Sequence, residues 1–128
     1  MFIFEILQHP LTNTQLQVFA GRMIREYGLK EFIIHLTQHD DISLGLFVVG
    51  EKKQGTGTKV MLKLCELADQ YQLRIILNLA ARNRNFGTTS SNRLMKFYKR
   101  FGFVENKGRK KDYSISDAMY REPNSPIG

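Results

Sequence analysis

One cysteine in 128 residues, Cys65, leaves the chain no means of closing an internal disulfide. A disulfide-held scaffold is thereby excluded, and a reducing, cytoplasmic setting is the default expectation. Long apolar runs are equally scarce. LGLFVV at 44–49 is among the longest, far short of the roughly 20 residues that a membrane-spanning helix needs, so no membrane partner is expected. The opening MFIFEILQHP lacks the basic start and small-residue cleavage site of a secretory signal. His9, His35 and His39 lack metal-ligand spacing, and neither a GxSxG element nor a justified Cys–His pairing occurs. A metal centre and a nucleophilic hydrolase are therefore not expected. Repeats, low-complexity segments and long linkers are missing as well.

What is present fits one compact domain. A hydrophobic content of 42% supports a single core, and nine Phe and five Tyr among 24% charged residues argue against disorder. Residues 1–121 read as that domain, with EPNSPIG at the end reading as a frayed tail over 122–128. The formal net charge is +7 and unevenly spread. Residues 96–111 hold seven basic side chains (Lys96, Lys99, Arg100, Lys107, Arg109, Lys110, Lys111) against one acid, Glu105. Such a segment suits an acidic surface, nucleic acid or a phosphorylated cofactor, or else is a solvated face.

Hydrophobic spacing orders the elements. MFIFEIL predicts a first strand, and PLTNTQ supplies helix-start residues. Leu16, Phe19, Ala20, Met23 and Tyr27 then recur at helical spacing until Gly28. Strands are expected at 31–38 and 42–50, joined by a polar HDD turn. Val60, Met61, Leu64, Cys65, Ala68 and Tyr71 mark a second amphipathic helix, with Cys65 on its core face. RIILNLAA reads as a strand buried on both faces. Leu94, Phe97, Tyr98 and Phe101 mark a third helix stopped by Gly102, and strands follow at 103–106 and 114–120. The order implies an α/β (α+β) domain with a mixed sheet.

Between the second of those strands and its helix lies EKKQGTGTK. Gly55 and Gly57 bring unblocked backbone N–H groups to the positive end of a helix dipole, with Lys52, Lys53 and Lys59 nearby. The pattern is neither a Walker loop nor the dinucleotide fingerprint, whose third glycine would fall at Val60. Either a tight turn or an anion-binding loop accounts for it.

A second stretch, SNRLMKFYKRFGFVENKGR, changes the weighting. In the first segment Phe47-Val48-Val49 run into Gln54-Gly55-Thr56-Gly57-Thr58-Lys59; in the second, Tyr98-Lys99-Arg100-Phe101-Gly102-Phe103 close a helix. Together, over roughly residues 41–120, they resemble the GNAT family of acyl-CoA-dependent N-acyltransferases. Lys59 stands where a small residue is usual. Ser91 occupies the usual asparagine position, with Asn92 one step later. The resemblance implies a mostly antiparallel sheet flanked by about three helices and acetyl-CoA as cosubstrate. Residues 54–59 would hold its pyrophosphate, Phe47–Val49 would pair with its pantetheine as an added strand would, and Ser91 or Asn92 would reach the cofactor. It implies Tyr98 as general acid to the departing thiolate, and an oxyanion met by a strand N–H near Phe47 or Val48. Asp41 would be the base, with His39, Asp40 or a water chain as alternatives; the HDD segment also reads as a plain hairpin turn. The acceptor would be an amine on a small molecule or a protein, and such enzymes often form homodimers through late strands. Two rival readings stay open: a basic nucleic-acid-binding module, and a catalytically silent member of the same fold that binds CoA or a partner.

Overall fold

The computed structural model describes residues 10–50, 55–77 and 91–128. The expected first strand, Lys52, Lys53, Gln54 and everything from 78 to 90 lie outside them. Helix α1 (Asn13–Tyr27) opens on a reciprocal cap. Thr12 Oγ1 accepts from the Gln15 N–H at 3.1 Å, and Gln15 Oε1 accepts from the Thr12 N–H at 2.9 Å. Gly28, at φ 63°, ends it in the left-handed conformation that glycine adopts without penalty. Leu16, Phe19, Ala20 and Met23 are buried along one face, as their spacing predicts.

Strands β1 (Leu29–Leu36) and β2 (Ile42–Val49) form an antiparallel hairpin. Its turn is the HDD segment: Asp40 takes φ 62°, and Thr37 Oγ1 accepts from the backbone N–H groups of His39 and Asp41. The register slips twice. Leu46 faces Ile33 and Leu44 faces Ile34, so Gly45 is an extra residue on β2. α1 lies along β1 and reaches its backbone, with Gln17 Nε2 donating to the Ile34 carbonyl at 2.7 Å and Asn13 Oδ1 accepting from the Leu36 N–H at 3.2 Å. Polar side chains thus occupy groups that a bare outer strand would expose.

Helix α2 (Thr56–Gln70) crosses from β2 to β3 (Ile75–Leu77), which pairs parallel with β2. Helix α3 (Ser91–Lys99) leads to β4 (Val104–Glu105), a 3-10 turn at Gly108–Lys110 and β5 (Met119–Arg121). Among the described residues five strands run in the order β1-β2-β3-β5-β4, with one parallel pair in an otherwise antiparallel sheet. The mixed, mostly antiparallel sheet with three described helices is the fold class expected. All three residues of β3 are buried, as an apolar run covered on both faces should be.

The last strand is shorter than the expected 114–120. Backbone groups of the loop before it bond to side chains instead of a ladder. The Asn106 amide donates to the carbonyls of Asp112, Ile115 and Asp117, and its oxygen accepts from the Asp112 N–H at 2.6 Å. Residues 122–128, which read as a frayed tail, have fixed partners. The Gly128 N–H donates to the Arg100 carbonyl at 2.9 Å, and the Asn124 N–H to Asp69 Oδ1 at 2.7 Å.

Arg121 organises this corner. Its side chain is fully buried, donating from Nε to the Phe101 carbonyl (2.6 Å), from Nη1 and Nη2 to the Asp69 carboxylate (2.8 and 3.2 Å) and from Nη2 to the Ser125 carbonyl (2.9 Å). A buried guanidinium is tolerated only when its donors are met in this way. Gly102 sits beneath the tail at φ 92°, and a β-carbon there would lie 2.6 Å from Ser125 Cβ. Partial burial opposes the charge on Asp69, but the Arg121 and Asn124 hydrogen bonds with the Arg121 charge outweigh it and hold this carboxyl below its ordinary value.

Arg121→Met strands Asp69 and two carbonyl acceptors, those of Phe101 and Ser125, and should cost about 3 kcal/mol in urea unfolding; an unchanged midpoint would refute the clamp. A lowered carboxyl pKa gives stability that is complete above the unfolded value and lost as pH falls through the folded one. The wild-type chain should therefore lose stability in acid, below the ordinary Asp range, and Asp69→Asn should flatten that part of the stability–pH curve.

Candidate cofactor-binding site

β2 ends where α2 begins, and the chemistry expected of the glycine loop depends on how that junction is built. Gly55 takes φ 85° and is the residue just before the helix, so its role is conformational: a β-carbon there meets nothing within 4 Å. Thr56, Gly57, Thr58 and Lys59 are not loop residues. They form the first turn of α2, with the Lys59 N–H already bonded to the Gly55 carbonyl at 3.0 Å. Among the described residues no side chain caps this end. Among the described residues the leading N–H groups are therefore left to water or a ligand, at the helix end that favours anions. Thr56 is buried, whereas Lys59 is exposed.

Gly57 serves a different purpose from the one its position in the motif suggests. A β-carbon there would point not toward a phosphate but inward, 3.6 Å from Phe97 Cζ and 3.9 Å from Val49 Cγ2. The two motifs, forty residues apart, thus meet at one spot: the end of β2, the first turn of α2 and the ring of Phe97 on α3. Phe47 is buried against Phe32, ring centroids 5.5 Å apart, and Val48 and Val49 are half-buried. The Gly45 bulge lies two residues before Phe47, and a bulge leaves a residue out of the ladder and re-aims its neighbours.

Scans against protein-family models, curated proteins and solved structures return no match. What the site can do has to come from its own residues.

Tyr98 is fully buried, its ring edge-on to Phe97 at 5.1 Å and to Phe103 at 5.4 Å between centroids. Ser91 opens α3, and Asn92, exposed beside it, lines a surface cavity with Met95 and Lys96. Asp41 lies elsewhere. It precedes β2, at the opposite end of that strand from Gly55, and is bound by Arg74 through both carboxylate oxygens, at 2.8 and 3.3 Å. Both of its oxygens are thus committed to a guanidinium fork. His39 and Asp40 are exposed in the hairpin turn at that same end. The structure therefore brings Phe47, Val49, Gly55, Gly57 and the helix of Tyr98 together, and leaves all three candidate bases apart from them.

Sequence reasoning missed Arg74, which bonds both Asp41 and Asp112, and the Arg121–Asp69 pair. The available signal was an arginine at the edge of each short apolar strand. Cys65 is confirmed as a core residue. Burial pushes its thiol up to about 11, with Arg121 opposing and Asp69 adding, so it stays protonated at neutral pH. Among the described residues no cluster of His, Cys, Asp and Glu could hold a metal, and no helix is long and apolar enough to cross a membrane.

The two glycines separate in a simple test. Gly55→Ala forces a side chain into the left-handed region and should lower stability by about 1 kcal/mol. Gly57→Ala meets only ordinary contacts and gains helix propensity, so it should hold or raise the urea midpoint; equal losses would contradict these separate roles.

Proposed function

We propose that the chain is an acyl-CoA-dependent N-acyltransferase that moves an acetyl group from acetyl-CoA to a primary amine by direct attack. The observation that carries this reading is the meeting of the two motifs at Gly57, where Phe97 and Val49 converge on the start of α2. A strand edge for an extended thiol arm, backbone donors for a pyrophosphate and an adjacent phenol are the three things such a transfer needs in one place.

In this scheme the N–H groups of Thr56, Gly57 and Thr58 hold the pyrophosphate, and Lys59 adds charge beside it. Asn92, exposed on α3, would add a further hydrogen bond to the cofactor. A backbone N–H near Phe47 or Val48, next to the Gly45 bulge, stabilises the oxyanion as the amine nitrogen bonds to the acyl carbon. The carbon–sulfur bond then breaks, and Tyr98 gives its proton to the departing thiolate. A phenol suits that task because it stays protonated at neutral pH yet is a far stronger acid than an alcohol. Because Tyr98 is enclosed, the acyl end must enter along the seam between β2 and α3, where Phe97 packs on Gly57. Asp41 anchors the strand through Arg74, and the amine proton leaves through water. The acceptor is a small-molecule or protein amine.

The assay is release of free CoA thiol from acetyl-CoA across a panel of amines. Tyr98→Phe should lower kcat about 100-fold with the KM for acetyl-CoA unchanged. Unchanged turnover would remove Tyr98 from the chemistry. Binding of acetyl-CoA with no turnover on any amine would favour a silent CoA-binding domain.

A further inference from the structure

The proposed acyl-transfer site leaves most of the positive charge unused. Residues 107–118 follow β4 and sit at the N-terminal end of the parallel pair, since Arg74 bonds Asp112 as well as Asp41. That is the end away from Gly55. The loop contains a 3-10 turn, Gly108–Lys110, and its backbone is fastened from beneath. Asn106 takes three of its carbonyls and one N–H, Tyr120 donates its hydroxyl to the Lys110 carbonyl, and Asp112 binds the N–H and hydroxyl of Ser114 while paired with Arg74. The Ser114 hydroxyl, then Arg74 and the Ser114 N–H, hold the Asp112 carboxyl well below its ordinary value. The fastening therefore persists at any physiological pH.

Such a loop is rigid where it meets the body, and its outer side chains have no share in that rigidity. Lys107, Arg109, Lys110 and Lys111 are all exposed. Lys107 shares Glu105 with Lys99, and the other three make no ion pair among the described residues. Beside Lys111 stands Tyr113, 85% exposed, with the Lys111 ammonium 5.3 Å from its ring centroid. The charge continues past Lys107 into a surface cavity of about 360 Å³ on α3, lined by Lys96 and Lys99.

We infer that this face binds single-stranded nucleic acid. Cations projecting from a fastened backbone would follow the phosphates while an outward aromatic ring stacks on a base, the combination that sequence-tolerant single-strand binding uses. A duplex keeps its base faces covered and would leave Tyr113 without a partner. An acidic protein surface would use the cations but gain little from the ring. Because the loop is already ordered, little conformational freedom is lost on binding. The inference does not depend on the acyl-transfer reading.

The test is fluorescence anisotropy of the full chain with a short labelled oligo(dT), against a duplex and a polyglutamate peptide, over a range of salt. Four cations predict a log–log salt slope of about −3. Tyr113→Ala should weaken oligo(dT) binding about fivefold or more with no change in melting temperature, and Tyr113→Trp should restore it. Lys110→Ala should make the salt slope shallower by about 0.7. No binding at low salt, indifference to Tyr113→Ala, or a preference for duplex or polyglutamate would each overturn the inference.

Discussion

The ion pair between the buried Arg121 and Asp69 is the constraint on which the rest of this small domain depends. It joins β5, the last turn of α2, the carbonyl of Phe101 after α3, and the C-terminal segment at Ser125. Met119, Phe101 and Ala68 pack three of these pieces into the shared core, and the ion pair fixes how they are oriented in it. A guanidinium withdrawn from water recovers its lost hydration only if strong acceptors surround it, so every piece that supplies one is fixed in place together. The position of α3 follows from this, and with it the approach of Phe97 to Gly57.

A second arginine works at the same end of the sheet. Arg74 precedes β3 and binds Asp41 at the start of β2 and Asp112 in the loop after β4, while its carbonyl accepts from the Ile42 N–H at 2.8 Å. The N-terminal end of the parallel pair is thus closed by charge pairs. At the other end of β2 the described residues offer backbone donors at the start of α2, a glycine in the left-handed conformation and an aromatic ring. Such polarity is common in sheets with parallel strands, where ligands meet the carboxyl ends and the opposite ends serve stability. The division also explains why Asp41, well placed along the sequence to be a base, is structural in its geometry.

Periodicity made the described helices and the β1–β2 hairpin legible, because apolar spacing reports a buried face directly. Leu16, Phe19, Ala20 and Met23 on α1, and Val60, Met61, Leu64, Cys65 and Ala68 on α2, all lie in the core. Boundaries were less legible. Helix α2 begins at Thr56 rather than at its first apolar residue, since an N-terminal turn need not be apolar to be helical. The loop at 107–118 and the packed C-terminal segment were invisible because Asn106 and Arg121 fix them through single polar side chains with no period. Of the site, the junction could be found from glycine and aromatic motifs. The inward aim of Gly57 and the capture of Asp41 by Arg74 needed three dimensions.

The central claim is that the junction of β2 and α2 holds acetyl-CoA, and thermal unfolding with acetyl-CoA, ATP and NAD tests it most directly. Ligand at about a hundred times its Kd adds about 2.7 kcal/mol, a shift of several degrees in a domain of this size. The account predicts a rise with acetyl-CoA that ATP and NAD do not reproduce. No rise, or equal rises with all three, would contradict it.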